Sequence, residues 1–162
     1  MSYPDPRYLG DGGEVTARFR TADAPPELPL PNGAASYLAT GASTGGKFGL
    51  YRWDMGPTAG GAQPHFHRTF TESFFVVSGA VEMYDGERWF EAGPGAFTFV
   101  PEGGLHGFRN QSGEPASMLI LFAPGAPREA YFEGLVELAE GRWTPTHEEF
   151  LAFCEEHDNI YV

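Results

Sequence analysis

The chain has one cysteine, Cys154, in 162 residues, so no internal disulfide can form. Its neighbours Phe153 and Glu155 suggest a helix near the C-terminus. No histidine stands in an obvious partnering arrangement, so Cys154 reads as a half-buried structural residue and not a nucleophile. Basic residues are scarce: Lys and Arg number 10 against 22 Asp and Glu, a net charge of −12. That balance argues against nucleic acid and against an anionic membrane surface as partners. It also puts a cation in a favourable average field. No apolar run is long enough to span a bilayer, and the start Met-Ser-Tyr-Pro-Asp-Pro-Arg is no signal peptide. The expected location is therefore cytoplasmic. No internal repeat is visible. What the chain does have is 22 Gly and 14 Pro, which suit a single all-β domain with many turns.

Two short blocks between His65 and Asn110 carry chemistry. In the first, His65-Phe66-His67 is followed by Glu72 and Gly79. Side chains alternate faces along a strand, so His65 and His67 point the same way and can reach one ion. Neutral imidazole is the commonest protein ligand for transition metals. Glu72 lies five residues on, far enough for a turn, and opens the strand Glu72 to Val77. Gly79 ends that strand where a turn needs a residue tolerant of positive φ. The second block reads strand, Pro/Gly turn, strand: Gly95, Pro101, Gly103, His106, Asn110. Of five histidines, three fall in these blocks. Three imidazoles and one carboxylate leave room in a six-coordinate shell for substrate, water or O2.

The two blocks resemble the two signature motifs of the cupin superfamily. The second motif is matched at every fixed position, and the first at His65, His67, Glu72 and Gly79. The leading Gly of the first motif is replaced by Ala59, with Gly60 and Gly61 directly after it. The resemblance covers about residues 45 to 124. It implies a cupin double-stranded β-helix, a jelly-roll barrel of the single-barrel (monocupin) kind, with His65, His67, Glu72 and His106 as ligands of one divalent transition metal per chain. Fe, Ni, Mn, Co, Cu and Zn all accept such a shell.

Taken in order, residues 1–34 read as an N-terminal arm, 35–124 as the barrel, and 125–162 as a C-terminal helical extension. In the arm, Val15 to Phe19 allows one short strand. Residues 24–31 look extended and are expected to pack over something larger, across a dimer for instance, because Leu28 and Leu30 alternate. Strands are expected over 35–40 and 47–55, with a small-residue turn at 41–46 between them. Gly56 to Gly61 forms a loop, and Pro64 restrains the chain just before the first ligand. Residues 80–84 and 87–91 form a hairpin about Asp85-Gly86. His106, Phe108 and Asn110 share one face, and 115–122 is a further strand. A helix is expected over 128–141, with Ala130, Leu135, Leu138 and Ala139 among its apolar residues. Thr146 and Glu149 form a capping box for a second helix, where His147 and His157 read as solvated.

The expected pocket beside the metal is aromatic. Tyr51, Trp53, Met55, Phe74, Phe108 and Phe122 are its substrate-binding candidates, with Phe97 and Phe99 as further wall residues; such walls suit a flat ligand. Length, arm and helical tail resemble bacterial quercetinase-like cupins. That resemblance implies a dioxygenase acting on a flavonol or other phenolic small molecule with O2, and Glu72 as both ligand and catalytic base. Two alternatives share the same ligands: a non-redox isomerase or cyclase of polyketide-like aromatics, and a metal-dependent binding module. A homodimer is implied by the family, with the Pro-rich arm and the Phe97/Phe99 edge in its support.

Overall fold

Two antiparallel sheets share one apolar core in the computed structural model, which describes residues 2–162. The larger sheet runs β1 (Leu28–Leu30), β2 (Gly33–Ala39), β3 (Gly49–Met55), β10 (Ala116–Ala123), β5 (Thr71–Ser78), β8 (Phe97–Val100). The smaller runs β11 (Ile160–Tyr161), β4 (Gly60–Phe66), β9 (His106–Asn110), β6 (Val81–Tyr84), β7 (Trp89–Ala92). Helices α1 (Gly41–Thr44), α2 (Glu129–Ala139) and α3 (His147–Glu156) complete the chain. Alternation along β5 and β10 fills the interior from one side: Phe74, Val76, Met118, Ile120 and Phe122 are all buried. Met83 and Phe108 meet them from the smaller sheet. The all-β, two-sheet barrel with short C-terminal helices expected from the sequence is what the chain forms.

Several local expectations change. Residues 15–19 form no strand, and Val15 and Phe19 stand in solvent; a lone strand has no ladder to satisfy its backbone groups. The extended segment does pack, but within its own chain: Leu28–Leu30 pairs with β2, and Leu28 touches the core. Arg20 and Glu27 hold the preceding bend, and the Tyr37 amide donates to Glu27 Oε2 at 2.8 Å. The expected turn at 41–46 contains the one-turn helix α1. There Thr40 and Ser43 form a reciprocal capping box, which offsets the small-residue composition. The segment entering the first ligand is strand from Gly60, not loop. The hairpin connection is Asp85–Arg88, four residues rather than two, because Asp85 Oδ1 accepts from the Glu87 and Arg88 amides and widens it.

The helices differ in the face they bury. α2 turns Tyr131, Phe132 and Val136 inward while Ala130 and Ala139 stay exposed. Large rings remove more area from water than alanines, so they win the core face. The Phe132 ring lies 5.2 Å from Tyr51 and 5.0 Å from Trp53. α3 carries the expected Thr146/Glu149 capping box. Its Cys154 is fully buried rather than half-buried, and burial pushes the thiol up to about 11, which suits an inert residue. His147 is exposed, but His157 is half-buried, 4.7 Å from Phe153 and 5.7 Å from Tyr131.

Phe97 and Phe99 do not point into the barrel. On β8 it is Val100 that is buried, and the two rings lie on the outer face, 64% and 58% exposed. Phe75 and Val77 of β5 extend this outer apolar face. Among the described residues no helix is long and apolar enough to cross a membrane.

Two glycines are positional. Gly79 turns the chain after β5 at φ 73°, as its place in the motif requires. Gly61 pairs with Arg109, and a Cβ there would overlap the Phe108 carbonyl oxygen and sit 2.5 Å from the Arg109 Cα. Neither contact is a side chain that can move aside. Gly61→Ala is therefore expected to destabilise the fold by more than about 2 kcal/mol. Gly60→Ala, whose Cβ meets only the Thr58 carbonyl at 4.0 Å, should cost less than about 0.5 kcal/mol. Thermal or denaturant unfolding measures both, and equal stabilities would contradict the close β4–β9 approach.

Candidate metal centre

The four ligand candidates come from both sheets. His65 on β4 is the cross-strand partner of His106 on β9. Glu72 lies on β5, opposite Val100 and Phe122. His67 follows β4 by one residue, beyond a register shift between Ala62 and His65. The site therefore sits between the sheets. All four side chains are buried, and one ligand atom from each lies within 4.8 Å of the others. His67 Nε2 and His106 Nε2 are 2.9 and 2.7 Å from the same oxygen, Glu72 Oε2. No protein donor among the described residues reaches Glu72 Oε1.

Backbone carbonyls fix each ring. His65 Nδ1–H donates to the Gln63 carbonyl at 2.7 Å, and His106 Nδ1–H to the Gly104 carbonyl at 2.9 Å. His67 Nδ1–H donates to the Asp158 carbonyl. A carbonyl oxygen only accepts, so every Nδ1 keeps its proton and every Nε2 is the nitrogen that a cation at the centre would meet. Three Nε2 atoms and a carboxylate converging in a buried space are a donor set for a divalent cation, and the residues fit one. Burial, helped by repulsion from His106, pushes His65 down to about 3, so it stays neutral. Burial also opposes the Glu72 carboxylate, but hydrogen bonds from His106 and His67 outweigh it and hold Glu72 far below its usual range. Burial lowers His106 as well, and its bond to Glu72 overcomes this and raises it.

The C-terminal tail completes the site, which sequence reasoning missed. Asp158, at φ 53°, turns the chain after α3. Its carboxylate accepts from the Arg68 amide at 2.9 Å, the Thr69 amide at 2.8 Å and the Thr69 hydroxyl at 2.7 Å. Tyr161 on β11 then pairs with His65. The one local signal is Asp158-Asn159 just past a helix end, where these residue types tolerate the left-handed region.

A cavity of about 420 Å³ opens beside the ligands. His65 and Glu72 line it; of the expected wall residues, so do Trp53, Met55, Phe108 and Phe122. Tyr51 and Phe74 do not reach it. Tyr51 packs edge-on against Phe122 and Phe132, and its hydroxyl donates to Glu129 Oε1. Phe74 lies behind Phe108 and His106, at 5.7 and 5.9 Å between centroids. Unforeseen lining residues come from the C-terminal segment, among them Arg128, Tyr131, Phe132, Phe150, Asn159 and Tyr161, and from the arm, with Leu30, Pro31 and Asn32.

Comparison with known proteins agrees with this geometry. Residues 51–122 match the Cupin domain family. Over 105 residues, 65% of this chain, the sequence is 29% identical to quercetin 2,3-dioxygenase of Bacillus subtilis (strain 168). The match covers 31% of that relative, so the chain spans under a third of its length. Among solved structures, the fold is similar to an uncharacterized conserved protein with a double-stranded beta-helix domain from Klebsiella pneumoniae. That likeness has a TM-score of 0.55 and 19% identity over 68% of this chain and 93% of the other. It is also similar to the polyketide cyclase RemF from Streptomyces resistomycificus, with a TM-score of 0.55 and 23% identity over 67% and 80% of the two chains. At these identities the two structures speak for the fold alone.

Two variants test the ligand set and its support. His106→Ala should lower metal occupancy with little loss of fold, read by elemental analysis beside circular dichroism. Full metal content in that variant would contradict the assignment. Asp158→Ala removes the carboxylate that fixes the tail against Arg68 and Thr69, and so loosens the carbonyl on His67. Metal affinity by chelator competition should then fall about 10–100-fold; unchanged affinity would show that the tail does not orient His67.

Proposed function

The described residues form one cupin-type barrel, and from that premise we propose that the protein is a metal-dependent dioxygenase of a phenolic or enolic aromatic molecule, similar in chemistry to quercetin 2,3-dioxygenase. One observation carries this reading. Of the four ligands, His65 and Glu72 line an aromatic-walled cavity, so a flat ligand seated there meets the open side of the donor set. The relative from Bacillus subtilis supports the same chemistry. When bound, a redox-active divalent metal supplies a centre at which an electron-rich enol or phenol and O2 can exchange electrons.

The protein's own residues do the rest. Trp53, Phe108 and Phe122 orient the ring plane and exclude water. His65, His67 and His106 are held by carbonyls and need no reorganisation. Glu72 addresses both Nε2 atoms through Oε2, which leaves Oε1 free to take the substrate hydroxyl proton. Phe70 lies against His67 and Phe74 against His106, at 4.3 and 5.9 Å. They stiffen the rings. Ionisation of the substrate then leaves it electron-rich at the moment it meets O2, and both oxygen atoms enter the product without an outside reductant.

The test is oxygen uptake by protein loaded separately with Fe, Ni, Mn and Co, against quercetin and a panel of phenols. Uptake with one metal and one substrate class is the expected outcome. No uptake in any pairing, at full metal loading, would sink the dioxygenase reading in favour of a non-redox cyclase, isomerase or binding role. In the active pairing, Glu72→Gln should keep a ligand oxygen and lose the base, and the rate should fall about 10²–10⁴-fold.

A further inference from the structure

At the side of the cavity formed by the C-terminal segment lies a cation that the proposed chemistry does not use. Arg128 is 3% exposed, and no carboxylate among the described residues forms an ion pair with it. Its Nη1 donates to the His157 carbonyl at 2.6 Å and its Nη2 to Asn159 Oδ1 at 3.2 Å. Aromatic faces supply the remaining company. The guanidinium carbon lies 4.3 Å from the Tyr131 ring centroid, 5.2 Å from Phe122 and 5.6 Å from Phe132, and all three rings line the same cavity. Glu72 and Asp158 act on the guanidinium only from a distance and are engaged by His67, His106, Arg68 and Thr69, so the directly paired anion that a buried cation ordinarily has is missing.

The donors around it point the same way. Three buried side-chain atoms among the described residues have no hydrogen-bond partner. Two of them, Arg128 Nε and Asn159 Nδ2, belong to neighbouring residues that both line this cavity, and both residues are at least nine-tenths buried. Buried donors are nearly always satisfied. Two orphaned N–H groups, one of them on a guanidinium, are a ready cradle for a carboxylate. The Oδ1 of Asn159 is committed to Arg128, so its amide nitrogen is the end left for a ligand.

We propose that the cavity selects phenolic acids, with a carboxylate held by Arg128 and Asn159 and the hydroxyl directed to the Glu72 end of the same cavity. This deepens the dioxygenase reading and rests on it for the hydroxyl end only. The aromatic walls between the two poles accommodate the ring. Arg128 and Asn159 are thus specificity-determining residues that touch substrate, and their cradle comes from outside the two metal motifs.

The experiment compares a matched pair of probes, 4-hydroxybenzoate and 4-hydroxybenzamide, on the zinc-loaded protein without O2, by calorimetric titration. The acid should bind wild type at least about tenfold more tightly than the amide. Arg128→Gln and Asn159→Asp should each abolish that preference, weakening the acid at least about tenfold more than the amide. Asn159→Asp retains the oxygen that accepts from Arg128, so it reports even where Arg128→Gln fails to fold. Equal binding of acid and amide by wild type overturns the inference, and so does binding of neither. An acid preference that survives in Asn159→Asp overturns it too, because the metal alone would then hold the carboxylate. A protein that selects acids in this way but consumes no O2 fails the dioxygenase reading and keeps this one.

Discussion

Three backbone carbonyls, those of Gln63, Gly104 and Asp158, decide what the centre of this barrel can do. Each accepts a hydrogen bond from an imidazole Nδ1–H and so turns the opposite nitrogen toward the centre. Two of them are local, lying two residues before their own histidine. The third is 91 residues away in sequence. The outer parts of the molecule serve this arrangement. The Gly61 contact brings β4 against β9, which sets His65 opposite His106. The Asp158 carboxylate grips Arg68 and Thr69, which places the tail carbonyl over His67. The C-terminal segment is thus part of the candidate metal centre, although it lies outside the region matched by the cupin family.

The convergence of His65, His67, Glu72 and His106 was legible in the sequence because its logic is local. Alternation along a strand, one carboxylate past a turn and a Pro-x-Gly turn before the third histidine are short-range patterns, and the chain folds them as they read. Alternation says which face a residue takes but not how deep that face lies. Trp53 and Tyr51 are on the same face of β3, yet Trp53 borders the cavity and Tyr51 is sealed beneath Phe132. The same limit applies to Phe74 against Phe108. Phe97 and Phe99 were placed inward on hydrophobicity alone, and the edge strand turns them out. Asp158, Asn159 and Arg128 were invisible for a different reason. Their roles exist only once α2, α3 and β11 fold back onto β4, and no spacing rule encodes a contact across so much chain.

The cavity that results has two unlike poles. At one end a carboxylate and three imidazoles form a cluster that could hold a metal ion. At the C-terminal segment a buried guanidinium and an amide nitrogen present donors with no acceptor. Between them lie aromatic faces. In a chain of net charge −12, the second pole is an exception to the average field, held in place by π faces and a carbonyl rather than by an acid. A metal at the first pole and an anionic group at the second would neutralise both. The barrel provides the side chains of the first pole and the C-terminal segment those of the second, and the adjacent carbonyls of His157 and Asp158, which accept from Arg128 and His67, tie the two together.

The claim on which all of this stands is that three imidazoles and one carboxylate bind a single metal ion through Nε2 and Oε2. X-ray absorption spectroscopy of the cobalt-loaded protein measures it directly. The extended fine structure should show first-shell nitrogen and oxygen scatterers at about 2.0–2.2 Å, with outer-shell imidazole scattering that fits three rings. Outer-shell scattering that fits one ring or none would mean that these histidines pack the barrel without ligating, and that the chemistry lies elsewhere.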